Sequence, residues 1–369
     1  MRFYLLAMTL TSCLLLQAGC TDSDPVRIGF LGGLTTRAAG LSTSGRNGFQ
    51  LAIEETNARG GVNNRQVEGL IRDTRGHKET ALQAIHFLKS QKVSAIIGPM
   101  TSQTAIEVVP EINLAKIPMI SPTVSTNQLS AIDDYFFRAY YTNAQAAKLL
   151  AERLLSQGTM RVAVIYDLSN KAYTEDWVNH FEEVIEQAEA SEVVRIPFDI
   201  RAETLFLDLA TEAAETGPQG ILILANAVDT AMICQQLAKL SVKTPLYATG
   251  WSYSDDLIQF GGKSIEELYI IQSADFTDSS PALQGFVTAY RQRFGAEPNF
   301  PALHAYDATR LLISALEETT KPEELRDALL KIESFAGLQS DITFDRYGDL
   351  KHPRLHLAQI VNGRFVKAD

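Results

Sequence analysis

The fold is decided by a stretch that reads Ala95-Ile-Ile-Gly-Pro-Met-Thr-Ser-Gln103, continues through a helix-like run, and ends in Ile117-Pro-Met-Ile-Ser-Pro-Thr-Val-Ser125. Two apolar runs, residues 93–97 and 117–120, predict short buried strands of a parallel sheet. Each run ends in a turn with small hydroxyl side chains, and Ser102 stands where it could cap the next helix. Backbone N–H groups at such a helix start favour an anion. We therefore expect the two turns together to hold the acid group of a small ligand.

Strand-like and helix-like patterns alternate on both sides of this stretch. Residues 26–31 and 67–73 predict strands, and residues 45–59 and 79–91 predict the helices that follow them. The alternation begins again after residue 143, with strands predicted at 161–166, 192–198, 220–224 and 245–248. Such alternation predicts parallel sheets covered by helices, and the restart predicts a second α/β lobe.

Composition fits this fold class and limits the partners. The 369 residues are 46% hydrophobic and 21% charged, as expected for a globular chain of two domains. The formal net charge is −11 and no basic stripe is visible, which argues against nucleic acid as a partner.

The first nineteen residues have the pattern of an export signal. One basic residue, Arg2, precedes an apolar run over residues 3–16 that is too short for a membrane span. Ala18-Gly19 then stands before Cys20, which resembles the signal cleaved before an acylated cysteine. We therefore interpret residues 1–19 as a signal peptide, Cys20 as a lipidation site and residues 20–25 as a tether. Ordinary cleavage, which would release a free soluble protein, is the alternative.

The sequence contains no motif for catalysis, for a metal or for a cofactor. GxSxG, HExxH, GxxxxGK[ST], CxxC and GxGxxG patterns are all absent, and the six histidines are scattered. Beyond the first twenty residues Cys234 is the only cysteine, so the mature part has no internal disulfide. We therefore predict a binding protein that is not an enzyme.

Several motifs resemble those of one family when taken in order. They are Gly45-Arg-Asn-Gly-Phe-Gln-Leu-Ala-Ile-Glu-Glu-Thr-Asn-Ala-Arg-Gly-Gly61, Ile97-Gly-Pro99, Ser121-Pro122 and Tyr306-Asp-Ala308. This series resembles the type I periplasmic binding proteins, and most closely the leucine/isoleucine/valine-binding family, which serves ABC importers. The resemblance implies two Rossmann-like lobes with parallel sheets, three crossovers and a ligand cleft between the lobes.

The resemblance also implies the boundaries of the two lobes. With crossovers near Thr142, Gly250 and Gly337, the first lobe would hold residues 26–142 and 251–336. The second lobe would hold residues 143–250 and 337–369.

The ligand site of the family is carried over position by position. Ser102 matches a residue whose hydroxyl and N–H bind the ligand α-carboxylate, Thr123 one whose carbonyl accepts from the α-ammonium, and Ser125 one that serves both groups. Tyr173 matches an aromatic residue of the second lobe that closes over the ligand. The full set of expected ligand-binding residues is Leu41, Thr101, Ser102, Thr123, Ser125, Tyr173, Ala225, Asn226, Gly250 and Trp251.

One expected feature is missing. The segment that carries an acid against the ligand ammonium in the family reads Tyr247-Ala-Thr-Gly-Trp251 in this chain, with Asp255 or Asp256 as a candidate substitute. A buried ammonium without a countercharge is costly. An amino acid, branched-chain or similar, is placed first as ligand, and an aromatic or aliphatic carboxylate remains the alternative. The closed form would dock on a membrane permease, or in the alternative signal to a receptor.

Overall fold

The structure, a computed structural model, describes residues 24–368 apart from 38 and 190. The expected signal peptide and the lipidation site at Cys20 lie outside the described residues. Two main sheets, each surrounded by helices, confirm the predicted α/β fold of two lobes. Within the described part of the chain, no helix combines the length and the apolar character that a membrane crossing needs.

The first lobe is built on a sheet of five parallel strands in the order β2-β1-β3-β4-β5. These strands are β1 (Val26–Gly32), β2 (Val67–Asp73), β3 (Ala95–Ile97), β4 (Met119–Ser121) and β5 (Phe136–Arg138). The helices between them are α1 (Ala39–Ala58), α2 (Lys78–Ser90) and α3 (Ser102–Ala115). In the register of the central strands, Ile28 is opposite Ala95 and Ile96 is opposite Met119. The stretch quoted above therefore supplies two adjacent strands, which end at the same edge of the sheet.

The second lobe is built on a sheet of seven strands in the order β14-β13-β10-β9-β8-β6-β7. These strands are β6 (Arg161–Asp167), β7 (Glu192–Phe198), β8 (Gly220–Leu224), β9 (Leu246–Thr249), β10 (Tyr269–Gln272), β13 (His356–Val361) and β14 (Arg364–Lys367). Five of them run parallel, whereas β13 and β14 form an antiparallel hairpin at one edge. The associated helices are α4 (Asn143–Ser156), α5 (Lys171–Ile185), α6 (Phe206–Glu215), α7 (Ala227–Lys239), α8 (Asp255–Gly261) and α9 (Pro281–Phe294).

Two further helices and a small sheet complete the first lobe. They are α10 (Phe300–Glu318), α11 (Pro322–Lys331) and the paired strands β11 (Phe335–Ala336) and β12 (Asp341–Ile342). Helix α10 packs against α1 at very close range, because a Cβ atom on Gly48 would lie 2.1 Å from the carbonyl oxygen of Ala302. Only glycine permits this approach of the two helix backbones.

Two of the three crossovers lie later in the chain than the resemblance implied. Strand β10 pairs with β9, so residues 269–272 belong to the second lobe and the second crossing follows Gln272, not Gly250. The backbone N–H of Arg138 donates to the carbonyl of Gly348 at 2.9 Å, so residues near 348 still lie against the first sheet, beyond the crossover expected at Gly337. The apolar sequence of β10 is compatible with either sheet. Its pairing with β9 shows that it belongs to the sheet of the second lobe.

Candidate functional site in the cleft between the lobes

The two hydroxyl-bearing turns after β3 and β4 are hydrogen-bonded to each other. The Ser102 hydroxyl accepts the backbone N–H groups of Ser125 at 3.4 Å and of Thr126 at 3.3 Å. The Thr123 hydroxyl donates to the carbonyl of Met100 at 2.7 Å. Ser102 and Ser125 therefore face one another, as the parallel arrangement of the strands predicts. Because the Ser102 oxygen accepts two N–H groups, its own proton remains available for an acceptor.

These turns line a small cavity of about 30 Å³ between the lobes. Its lining contains Leu41, Met100, Thr101, Ser102, Thr123, Ser125, Tyr140, Tyr141, Asn170, Tyr173, Trp251 and Phe300. Seven of the ten residues expected at the site are in this set, and Tyr173 and Asn170 come from the second lobe. The structure thus brings most of the predicted site into one place.

Three expected residues do not line this cavity. Ala225 is fully buried in the core of the second lobe. Asn226 caps helix α7 by accepting the N–H of Asp229 at 3.1 Å, and its amide group also donates to that carboxylate at 2.5 Å. The same carboxylate, fully buried, pairs with Arg37 of the first lobe at 2.7 Å. Gly250 lies behind the cavity wall.

Two tyrosines occupy the space in front of Gly250. A Cβ atom at this glycine would lie 3.1 Å from the hydroxyl oxygens of both Tyr140 and Tyr141. The rings of these tyrosines lie 4.0 Å apart, and Tyr140 also stacks on Phe300 at 5.8 Å. A tyrosine pair therefore occupies the space in front of the segment where the resemblance led us to expect an acidic side chain.

The lining of the cavity carries no formal charge. Neither an acidic nor a basic side chain is among its residues. Burial raises the pKa of Tyr140, Tyr141 and Tyr173 above the usual range, so these hydroxyls stay neutral. The candidate substitutes for the missing acid are elsewhere: Asp255 lines a separate outer cavity and Asp256 a small one beside Arg37.

The second lobe contributes an aromatic wall with one unpaired donor. The Tyr173 hydroxyl donates to Thr249 Oγ1 at 2.6 Å, and its ring meets the Trp251 ring edge-on at 5.6 Å. The Trp251 indole N–H is buried and has no hydrogen-bond partner among the described residues. A buried N–H without a partner costs about 1–3 kcal/mol. It therefore favours a ligand that offers an acceptor.

Hydrogen bonds across the cleft hold the two lobes together. The N–H of Gln103, in the first turn of α3, donates to Asn170 Oδ1 of the second lobe at 3.0 Å. The N–H of Asn127 donates to Asp176 Oδ2, at the start of α5, at 2.9 Å. With the Arg37–Asp229 ion pair, these contacts define a closed arrangement.

Sequence reasoning missed five members of the lining as site residues. Met100 and Phe300 read as ordinary apolar positions, and Tyr140 and Tyr141 lie at a crossover where they could equally belong to the core. A signal for Asn170 was present in the sequence, since it stands three residues before Tyr173 in a turn that faces the cleft. Among the described residues, no group of three or more metal-ligating side chains occurs.

The chain is similar in sequence to known binding proteins. A family model described as periplasmic binding protein matches residues 25–364. The chain is 23% identical over 341 residues to Leu/Ile/Val-binding protein homolog 7 of Brucella abortus, with 86% of this chain and 83% of that protein covered.

Two solved structures are similar in fold. The leucine-binding protein LivK of Thermotoga maritima has a TM-score of 0.85 and 23% identity, and the comparison covers 93% of this chain and 98% of that one. The solute-binding protein of an ABC transporter from R. palustris, in complex with benzoate, has a TM-score of 0.83 and 18% identity, with 93% and 95% covered.

Proposed function

Because the chain belongs to the periplasmic binding protein family, a family of exported solute-binding proteins and not of enzymes, we propose that it is the extracytoplasmic substrate-binding component of an ABC importer. It captures a small carboxylate by closure of its lobes. The observation that carries this proposal is the pair of facing turns, with Ser102 and Ser125 on one side of the cleft and Tyr173 and Trp251 on the other.

In this mechanism the ligand first meets the open first lobe. Its carboxylate accepts the free proton of the Ser102 hydroxyl, close to the start of helix α3, where the helix dipole favours negative charge. Closure then brings Tyr173 and Trp251 over the ligand, and the indole N–H gains an acceptor. The contacts of Gln103 with Asn170 and of Arg37 with Asp229 form only in the closed arrangement and so favour it.

The cavity of about 30 Å³ is too small for an amino acid. We therefore propose that the ligand enters while the second lobe stands further from the two turns, and that the side chains lining the cavity move apart as the lobes close over it. Tyr140 and Tyr141 belong to the first crossover and Trp251 to the second lobe, so small rotations of the lobes change the distance between these aromatic side chains.

We infer that the ligand is a carboxylic acid without an α-ammonium group. An ammonium buried in this cleft would meet neutral hydroxyls and aromatic rings, with no carboxylate in the lining to balance it. The R. palustris protein of similar fold is described in complex with benzoate. An amino acid is the second candidate, favoured by the relatives named for leucine, isoleucine and valine.

Matched ligand pairs distinguish these candidates. Thermal-shift and calorimetric titrations would compare leucine with 4-methylpentanoate, and phenylalanine with 3-phenylpropionate, because each pair differs only in the amino group. We expect the acids to raise the melting temperature and the amino acids to have less effect. Tighter binding of the amino acid in both pairs would refute the assignment. A set in which no member binds would count against the carboxylate site itself.

We further propose that the protein is held at the membrane through a lipid on Cys20. The support is the sequence Ala18-Gly19-Cys20 after an apolar run. The first strand begins at Val26, so five residues of the sequence separate Cys20 from the first lobe.

A further inference from the structure

A second cavity, far larger than the one in the cleft, lies in the second lobe. Its volume is about 810 Å³, within the range of roughly 300–1,000 Å³ typical of small-molecule sites. It opens at the carboxyl end of β10, between the β13–β14 hairpin, α8 and α9. Carboxyl ends of parallel strands are the usual place for ligands in α/β sheets. None of its lining residues lines the cleft cavity.

The buried polar atoms of this second cavity are unpaired acceptors. Gln272 ends β10 and is 2% exposed, yet its Oε1 has no hydrogen-bond partner among the described residues. Its side chain is hydrogen-bonded to the Tyr253 hydroxyl. Asn299 Oδ1 and Ser254 Oγ, which also line the cavity, are likewise buried without a partner in the described chain. A ligand that supplies N–H donors would satisfy groups that are otherwise costly to bury.

The lining holds three acidic and three basic side chains, and Asp255 is the acidic one next to these acceptors. Among the described residues, Asp255 forms no salt bridge with a basic side chain. Burial first, and then the nearby carboxylates of Glu297 and Asp256, raise the pKa of Asp255. Glu297 is itself paired with Arg291 at 2.7 Å. The basic residues of β14, Arg364 and Lys367, stand with exposed side chains at the rim.

One part of the cavity wall is apolar. The rings of Tyr253 and Phe365 lie 4.0 Å apart, and Phe276 and Val287 complete the surface around them. Aromatic faces attract cations as well as apolar groups. The combination suits a molecule with an apolar body and a positively charged end.

We propose that this cavity binds a small organic cation, a primary amine on an apolar body, with its N–H groups on Gln272 and Asn299 and its charge beside Asp255. The site is separate from the cleft and does not depend on the function proposed for the cleft.

The test uses 2-phenylethylammonium as the probe and its neutral analogue 2-phenylethanol for comparison. Binding to the full mature protein is followed by calorimetry and by ligand-observed NMR. Two variants remove the proposed contacts, Asp255→Asn and Gln272→Leu, and the folding of both is checked by circular dichroism. Asp208→Asn, on the exposed face of α6 in the same lobe, is the matched control.

We expect the amine to bind at least about tenfold more tightly than the alcohol, and Asp255→Asn to weaken it about tenfold, the loss typical of a hydrogen bond to a charged group. The Asp208→Asn control and a Ser102→Ala, Ser125→Ala protein should bind the amine as the unmodified protein does. The proposal is overturned if the amine does not bind, if both cavity variants bind it normally, or if the cleft substitutions abolish binding.

Discussion

Replacing Ser102 by alanine tests the cleft assignment most directly. The hydroxyl accepts the N–H groups of Ser125 and Thr126, at 3.4 and 3.3 Å, and has its own proton left for the ligand carboxylate. A hydrogen bond to a charged group contributes about 1.5–3 kcal/mol, so affinity for the carboxylate should fall roughly 10- to 150-fold. Calorimetric titration of the best ligand from the matched pairs would measure this loss.

The same substitution has a separate effect on stability. Ser125 and Thr126 are 1% and 0% exposed, so their N–H groups would lose a buried acceptor. We expect the free energy of unfolding to fall by about 1–3 kcal/mol, measured by chemical denaturation without ligand. Ser314→Ala, on α10 of the same lobe, is the matched control, since its hydroxyl donates only to the Leu311 carbonyl at 2.7 Å. If Ser102→Ala folds and still binds the acid as tightly as the control does, the carboxylate does not lie on these turns.

Four further changes probe other parts of the molecule. Trp251→Phe keeps an aromatic ring but removes the unpaired indole N–H, so calorimetry should show weaker binding of the acid by about threefold to tenfold, and unchanged affinity would mean that this group does not face the ligand. Arg37→Met leaves the buried carboxylate of Asp229 without its partner across the cleft. We expect a larger radius of gyration in X-ray scattering and weaker ligand binding. An unchanged radius would show that this ion pair does not hold the lobes closed. Burial raises the pKa of Asp307 from 3.8 to about 7. The stability that this group contributes is therefore present below pH 3.8 and is lost as the pH rises through 7. Denaturation at a series of pH values should show that Asp307→Asn reduces this decline by up to roughly 4 kcal/mol, and an equal decline in the variant would contradict the assignment. Cys20→Ser should move the protein from the membrane to the soluble fraction, and an unaltered distribution would rule out the lipid anchor.

Much of the fold followed from local sequence signals. In helix α9, Pro281 stands at the helix start, where proline is favoured, and Gly295 ends the helix in the left-handed region with φ 65°. Proline inside a helix usually kinks or ends it, yet α3 continues past Pro110 to Ala115. The buried face of α3, which includes Val108, Val109 and Ile112, stabilises the helix across the proline.

Tertiary packing determines two features of the fold that local sequence patterns do not predict. Helix α1 begins at Ala39, six residues before the predicted start at Gly45, although glycine and hydroxyl residues there favour a loop. This early start places Leu41 on a helix at the cleft. The assignment of β10 to the second sheet likewise depends on strand pairing between residues far apart in the chain.

The cleft itself was predictable in part. The Ser102 and Ser125 turns followed from strand order, because neighbouring parallel strands end at one edge. The tyrosine pair in front of Gly250 did not, since the sequence cannot tell on which side of a crossover a buried tyrosine will stand. The position of Asp255 also depended on the hairpin of β13 and β14, whose second strand the sequence pattern did not indicate.

The close approach of Gly48 to Ala302 sets the shape of the cleft from a distance. Leu41 stands at the beginning of α1 and Phe300 at the beginning of α10, and both side chains reach the ligand cavity. Seven residues, roughly 10 Å of helix, separate Leu41 from the glycine. A methyl group at position 48 would clash with the carbonyl oxygen of Ala302 and push the two helices apart. The floor of the cleft would then widen, although no residue that lines the cavity would have changed. If the cleft binds ligand as proposed, we therefore expect a substitution at Gly48 to change ligand selectivity without touching the ligand.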